Sequence, residues 1–285
     1  MLRRVIRHAV AIGATVLAGG FFGATLVRLA PGFGVDEQEM DTRLRDESVL
    51  ALRQSREQEQ NVVRYYGRYL AGLLKGDLGV SRSLHRPVAE LFAQRIPVTF
   101  RSVGAGLLAG WSLGLALALP AGIGRRPEYE LFSTFLTGGL LSIPSALLAL
   151  CLLFLGGAAS CAIALVVLPR VFCYVRNLLS ATSTQPHVLT AKAKGLSAAQ
   201  VLMRHVLPPA APQIFALAGV SVSIALGAAI PIEVICDVPG IGQLAWQAAL
   251  GRDLPLLVNL TVLVTVVTLA ANALSDFAVT ASTPA

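Results

Sequence analysis

The chain has 285 residues, 55% hydrophobic and only 14% charged, with a net charge of +7 and a mean hydropathy of +0.68. A soluble domain carries about a quarter of its residues as charges, so an ordinary soluble enzyme is excluded. A nucleic-acid-binding protein is excluded too, because it needs a basic face on a soluble fold, and most of the basic residues here sit between apolar runs.

Five stretches contain no Asp, Glu, Lys or Arg: residues 9–27, 102–124, 131–169, 206–232 and 254–275. A bilayer crossing takes roughly 20 such residues. Residues 9–27 are too long for a signal-peptide core and count as a span. Residues 131–169 would reach roughly 58 Å as one helix, so a hairpin broken at Gly156–Ser160 is predicted. The expected fold is an all-α integral membrane protein with six transmembrane helices. Its parts are a tail and first span (1–30), an extracytoplasmic segment (31–97) and a core of five spans (98–285). Arg3, Arg4 and Arg7 precede the first span, Arg125 and Arg126 separate the second and third, and Lys192, Lys194 and Arg204 separate the fourth and fifth. By the positive-inside rule, those segments and both termini face the cytoplasm.

In the 31–97 segment, residues 36–60 read as an exposed helix of interleaved charges. Val62, Tyr66, Tyr69, Leu70 and Leu73 form an apolar stripe of a small cap. RPVAELFAQRIP reads as a short amphipathic helix, with Pro97 opening the second span. Gly106, Gly110 and Gly114 form a GxxxGxxxG ridge there, and Gly219, Ser223 and Gly227 repeat the idea in the fifth span. Small residues four apart let helices approach closely in lipid; lining a pathway is the alternative. Arg101, Arg170 and Arg176 are read as lying near helix ends, where they can snorkel. The four cysteines and four histidines lack metal-ligand spacing, so no metal site is expected. GxxxxGK[ST] and HExxH are missing from the chain, which argues against ATP hydrolysis and against a zinc protease. GxSxG occurs once, as Gly110–Gly114, inside an apolar run rather than at a strand-to-helix turn, which argues against an esterase.

Between the fourth and fifth expected spans lies LTAKAKGLSAAQVLMRHVLPPAAP (189–212). Its second half begins at Ser197, a helix cap, and Pro208–Pro209 are expected to stop that helix and re-aim the chain. On residue chemistry alone, it is either a small-residue docking knob or a connector that obeys the positive-inside rule.

This stretch resembles the EAA loop of ABC importer permeases (E-A-A-x3-G-x9-I-x-L-P). Ala191 takes the second Ala position, Gly195 the Gly, and Leu207–Pro208 the closing pair, while Leu189 and His205 replace the Glu and Ile. TAKAKGL followed by His205 and Pro208 is similar to the dipeptide, oligopeptide and nickel permease family. RLAPG, YLAGLLKGDLGVS, RIPVTF and IEVICDVPGIGQLAWQAALGRDLPLL resemble other motifs of that family, in order, over nearly the whole chain. The hairpin at 156–160 is shorter than the family's loop, His187 stands in place of a common Tyr, and FAVTASTPA follows Asp276 where a D-P-R-like end is usual.

The resemblance implies a non-enzymatic permease subunit in a bacterial or archaeal cytoplasmic membrane, carrying peptides, nickel or other small solutes. It would pair with a second permease as a heterodimer, with ATPases that bind the ATP, and with an extracytoplasmic solute-binding protein; it would hold no cofactor of its own. Thr190, Ala191, Lys192, Ala193, Lys194, Gly195, Leu196, Arg204, His205, Leu207 and Pro208 would form the ATPase-coupling loop. Gly195 would make the tight turn, with Ala191 and Ala193 packing into the ATPase groove. Glu233, Pro239, Gly240, Gly242, Arg252, Asp253 and Pro255 would form an outer loop in contact with the binding protein, the Pro-Gly-x-Gly turn being equally a plain re-entry turn. A gradient-driven transporter would need intramembrane ionisable groups and inverted repeats. A scaffold subunit would keep the loop without a solute path.

Overall fold

The computed structural model describes residues 13–15, 17–22, 25, 62–73, 75–123 and 127–282. The expected helix at 36–60, RLAPG, most of the first span, and Arg3, Arg4, Arg7, Arg125 and Arg126 lie outside them. Among the described residues the structure is helical, with one isolated bridge between Val80 and Pro87. The helices are α1 (Val62–Leu73), α2 (Val88–Ile123), α3 (Pro127–Ser142), α4 (Ser145–Phe154), α5 (Ala159–Ser183), α6 (Pro186–Ala193), α7 (Ala198–Val201), α8 (Leu207–Ile235), α9 (Ile241–Leu250) and α10 (Leu254–Ser282). A π-helical turn, Leu202–Val206, joins α7 to α8.

Among the described residues, four helical stretches are long and apolar enough to cross a membrane: Val88–Pro120, Ala159–Ser183, Ala198–Ile235 and Leu254–Thr280. The pair Leu131–Ser142 and Ser145–Phe154 makes a fifth if counted as one span, though it bends by 101°. The bend falls at Ile143–Pro144, upstream of the expected hairpin turn. Proline disfavours helical backbone in the residue before it, and Pro144 sits extended at φ −58, ψ 141 as the cap of α4. The glycine turn exists as well. Gly156, at φ +72, closes α4 in a Schellman motif, with Gly156 N–H on Leu153 C=O (3.1 Å) and Gly157 N–H on Leu152 C=O (2.8 Å).

Two other proline expectations need correction. Pro97 lies inside α2, so the amphipathic segment and the second span are one 36-residue helix. Pro208 and Pro209 do not stop the chain either; they occupy the first turn of α8, where a missing N–H costs little. The arginines move accordingly. Arg101 falls within α2, and Arg170 falls near the middle of the 25-residue α5.

The chain divides into two compact units, 1–94 with 244–266, and 95–243 with 267–285. In the first, Tyr66 packs with Leu254 and Val258. Its ring stacks on Tyr69, centroids 5.8 Å apart, and its hydroxyl donates to Leu17 C=O at 2.9 Å. Tyr69 donates to Asn259 Oδ1 at 3.1 Å. Burial, with the Tyr66 phenol beside it, pushes the Tyr69 pKa up to about 12, so Tyr69 keeps its proton and its donor role.

In the second unit α5 is the axle. Its Ile163, Val167, Val171, Phe172, Val175 and Leu179 are buried, and α3, α4 and α8 pack on it. The glycine ridge of α2 packs there too. A Cβ on Gly106 would meet Ile163 and Ser160 C=O, one on Gly110 Ala164 C=O and Val167, and one on Gly114 Val171 and Leu168 C=O, at 2.7–3.1 Å. The second ridge divides. Gly219 lies against Asn272 and Ser275 of α10, whereas nothing stands within 4 Å of a Cβ on Gly227.

Gly110→Val is expected to lower the thermal midpoint of the detergent-solubilised protein, since overpacking typically costs about 1–3 kcal/mol. Gly227→Ala should leave it unchanged, and an equal loss from both would show that the ridge is not a contact.

Candidate functional site

The 186–207 segment is two short helices held as one body. α6 begins with Pro186 and buries Val188 and Ala191. Val201, Leu202 and Val206 of the next turns are buried in the same core cluster. Between them the chain reverses at Gly195, φ +78. This is again a Schellman closure, with Gly195 N–H on Lys192 C=O (3.0 Å) and Leu196 N–H on Ala191 C=O (3.4 Å). Ser197 restarts the helix with a reciprocal capping box: its side chain accepts from Gln200 N–H while the Gln200 side chain accepts from Ser197 N–H.

The exit from the segment depends on hydrogen-bond accounting. In the π turn Leu207 N–H reaches back to Leu202 C=O, and Pro208 and Pro209 have no N–H to offer the carbonyls of the preceding turn. His187 Nε2 lies 3.0 Å from His205 C=O. A carbonyl only accepts, so Nε2 is the protonated nitrogen and donates. This bond ties α6 to the turn that enters α8. In sequence His187 stands out as a departure from a family tyrosine; the signal for its role is its spacing from the double proline.

Seen from outside, the segment presents Leu189, Thr190, Lys192, Ala193, Lys194, Met203, Arg204 and Pro208, all exposed, with Leu196, His205 and Leu207 half-buried. Ala191 corrects its expectation. It is buried within this chain, its C=O closing the Schellman turn, and is not free to fill a partner's groove.

The expected outer-loop residues do not form one exposed surface. Glu233 is fully buried. Its carboxylate accepts from Thr99 Oγ1 (2.7 Å), Ser102 Oγ (3.3 Å) and Gly242 N–H (2.7 Å). Thr99 Oγ1 in turn accepts from Ile241 N–H at 2.7 Å. A Cβ on Gly240 would land on the Glu233 carboxylate and the Thr99 hydroxyl, and one on Gly242 would meet Ile230 Cα at 2.7 Å. The Pro-Gly-x-Gly turn therefore lays backbone directly over a buried carboxylate. Asp237, at φ +49, closes α8 in the left-handed position that glycine usually takes.

Asp253 is also fully buried. It caps α10 through Leu256 N–H (3.1 Å) and accepts from Ser81 Oγ (2.6 Å), Ser83 Oγ and Ser83 N–H (both 3.0 Å). The GDLGVS and RDLP stretches are thus bound to each other within the first unit. Pro239 and Arg252 are exposed and Pro255 is half-buried.

A helical membrane chain with this loop has the build of a transporter's membrane subunit. Residues 110–285 match the family described as binding-protein-dependent transport system inner membrane component. The chain belongs to that family and is a multi-pass permease of the ABC importer type in the bacterial cytoplasmic membrane. A putative peptide transport system permease of Brucella abortus (strain 2308) is 28% identical over 260 residues, covering 79% of this chain and 80% of its own length. A putative peptide permease of Brucella ovis is 26% identical and covers 89% of each chain. The oligopeptide transport system permease protein OppB of Escherichia coli K12 is 29% identical over 226 residues, 71% of this chain and 73% of its own.

Glu233→Ala strands the Gly242 N–H and the Thr99 hydroxyl, and should lower unfolding stability by about 2–4 kcal/mol. Thr99→Val should cost less, and the double variant less than the sum of the two. Strictly additive midpoint shifts in denaturant titrations would show that the groups do not act together.

Proposed function

We propose that this chain is one of two permease subunits of an ATP-driven peptide importer, with six membrane-spanning helices and both termini in the cytoplasm. The 189–208 segment is its coupling element and docks on a cytoplasmic ATPase. The second permease is a similar but distinct chain, and an extracytoplasmic solute-binding protein delivers the peptide. ATP is bound and hydrolysed by the partners. Nickel complexes and other small solutes are the alternative cargo.

The observation that carries this reading is the build of the 186–207 segment. Its inner face, Val188, Ala191, Val201, Leu202 and Val206, is buried with the core of α5 and α8. Its outer face combines exposed Leu189 and Met203 with Lys192, Lys194 and Arg204. A partner with an apolar slot rimmed by carboxylates fits that surface. A push on it passes straight into the 29-residue α8 through the π turn and the His187 bond. Such a body can be biased between two arrangements by a partner that binds them unequally. The peptide cargo follows the names of the relatives.

The test is purification of the tagged protein in mild detergent, with mass spectrometry of whatever accompanies it, and ATP-dependent peptide uptake by the same complex in vesicles. An ATPase, a second permease and a binding protein are expected. Gly195→Val forces a β-branched residue into a left-handed backbone with no neighbour to clash with. It should remove the ATPase and uptake while leaving the thermal midpoint within a few degrees. Wild-type protein that brings down no ATPase rejects the importer reading.

A further inference from the structure

The exposed surfaces of the apolar helices are not alike. Along α2 and α3 the most exposed large apolar side chains are Phe100, Leu108, Leu131, Phe132 and Phe135, with Arg101 exposed beside Phe100. Along α5 the exposed positions include Arg170, Tyr174, Asn177 and Ala181, spaced so that they fall on one helical face. Three of these four side chains are polar, on a helix apolar enough to cross a membrane.

Arg170 lies near the middle of that helix, roughly 16 Å or more along the axis from either end. An arginine at that depth costs about 2.5–3.5 kcal/mol against lipid even on the lenient scale. Arg170 Nη1 is turned back onto Val166 C=O at 2.6 Å. The guanidinium has five N–H donors in a planar fork, and that carbonyl is the acceptor the described residues give it. The fork is matched to a carboxylate. Tyr174 and Asn177, the next residues along the stripe, carry the donors and acceptors that suit peptide amides.

We propose that the Arg170–Tyr174–Asn177 face of α5 lines the solute path and that Arg170 binds the free C-terminal carboxylate of a passing peptide. The polar side chains run from mid-helix over two turns to Asn177, so the stripe extends along the axis, which a single inter-subunit contact would not need. This assignment rests on the peptide-importer reading and adds to it a recognised group and the residue that recognises it.

The experiment uses the whole importer, with its second permease, ATPases and binding protein, in vesicles. Cys151, Cys161, Cys173 and Cys236 are first replaced by Ala. Tyr174→Cys and Asn177→Cys are then compared with Phe135→Cys for reaction with a charged, membrane-impermeant methanethiosulfonate. Labelling at 174 and 177 should exceed that at 135 by at least about tenfold, because the thiolate that reacts needs water; equal rates overturn the path assignment. Uptake of a tripeptide is next compared with that of its C-terminal amide. Arg170→Gln should shrink the preference for the free acid by about tenfold or more, seen in KM, and Arg170→Lys should keep part of it. The binding protein's own selectivity cancels, because the change between wild type and variant is what is read. An unchanged preference in Arg170→Gln overturns the carboxylate assignment alone. A labelled complex whose wild type moves neither peptide overturns that assignment together with the importer reading.

Discussion

In lipid an apolar side chain gains nothing by leaving its surroundings for a helix interface, so helices hold together through close packing. The contact between Gly106, Gly110 and Gly114 and the backbone of α5 is the constraint on which the second unit is arranged. It brings α2 near enough for α5 carbonyls at residues 160, 164 and 168 to sit where a side chain would stand on any other residue. With one side of α5 fixed in this way, its bulky Phe172, Val175 and Leu179 are directed into the core, where Ala225, Ala228, Ala229 and Ile232 of α8 complete the cluster. Small residues on one helix and large ones on its neighbour supply contact area without voids.

One buried carboxylate serves the same purpose in each unit. Glu233 and Asp253 are both fully buried carboxylates, and each collects hydroxyl and amide donors from sequence-distant segments. A carboxylate can accept several hydrogen bonds at once, so one such group fixes a turn that would otherwise have to be held by packing. They are knots in irregular backbone, and this explains why acidic residues occur where composition alone suggests solvent-facing loops.

Much of the architecture could be read from residue pattern. The ridge on α2, the turn at Gly195 and the cap at Ser197 follow from rules about small residues, left-handed backbone and orphan amides. Prolines were the weak point. Pro97, Pro144 and Pro208–Pro209 have the same local chemistry, yet one is absorbed in a helix, one produces a 101° bend and the pair opens a helix. Which of these happens depends on who satisfies the freed carbonyl, a tertiary question that His187 answers for the last pair. The burial of Ala191 and Glu233 was hidden for a related reason. Both lie in motifs that a family resemblance associates with partners, and a motif does not reveal whether a side chain faces inward.

The π turn at Leu202–Val206 also bears on how chain length can vary. Such a turn holds one residue more than the α-helical path it replaces. Losing a residue inside it would restore ordinary helix and leave the facing of α8 intact. The same loss between Ala198 and Val201 would rotate everything downstream by about 100°, swinging the Ala225–Ile232 face away from α5. The segment is therefore a natural place for insertions and deletions to be absorbed in this loop, and length differences among related chains should concentrate there.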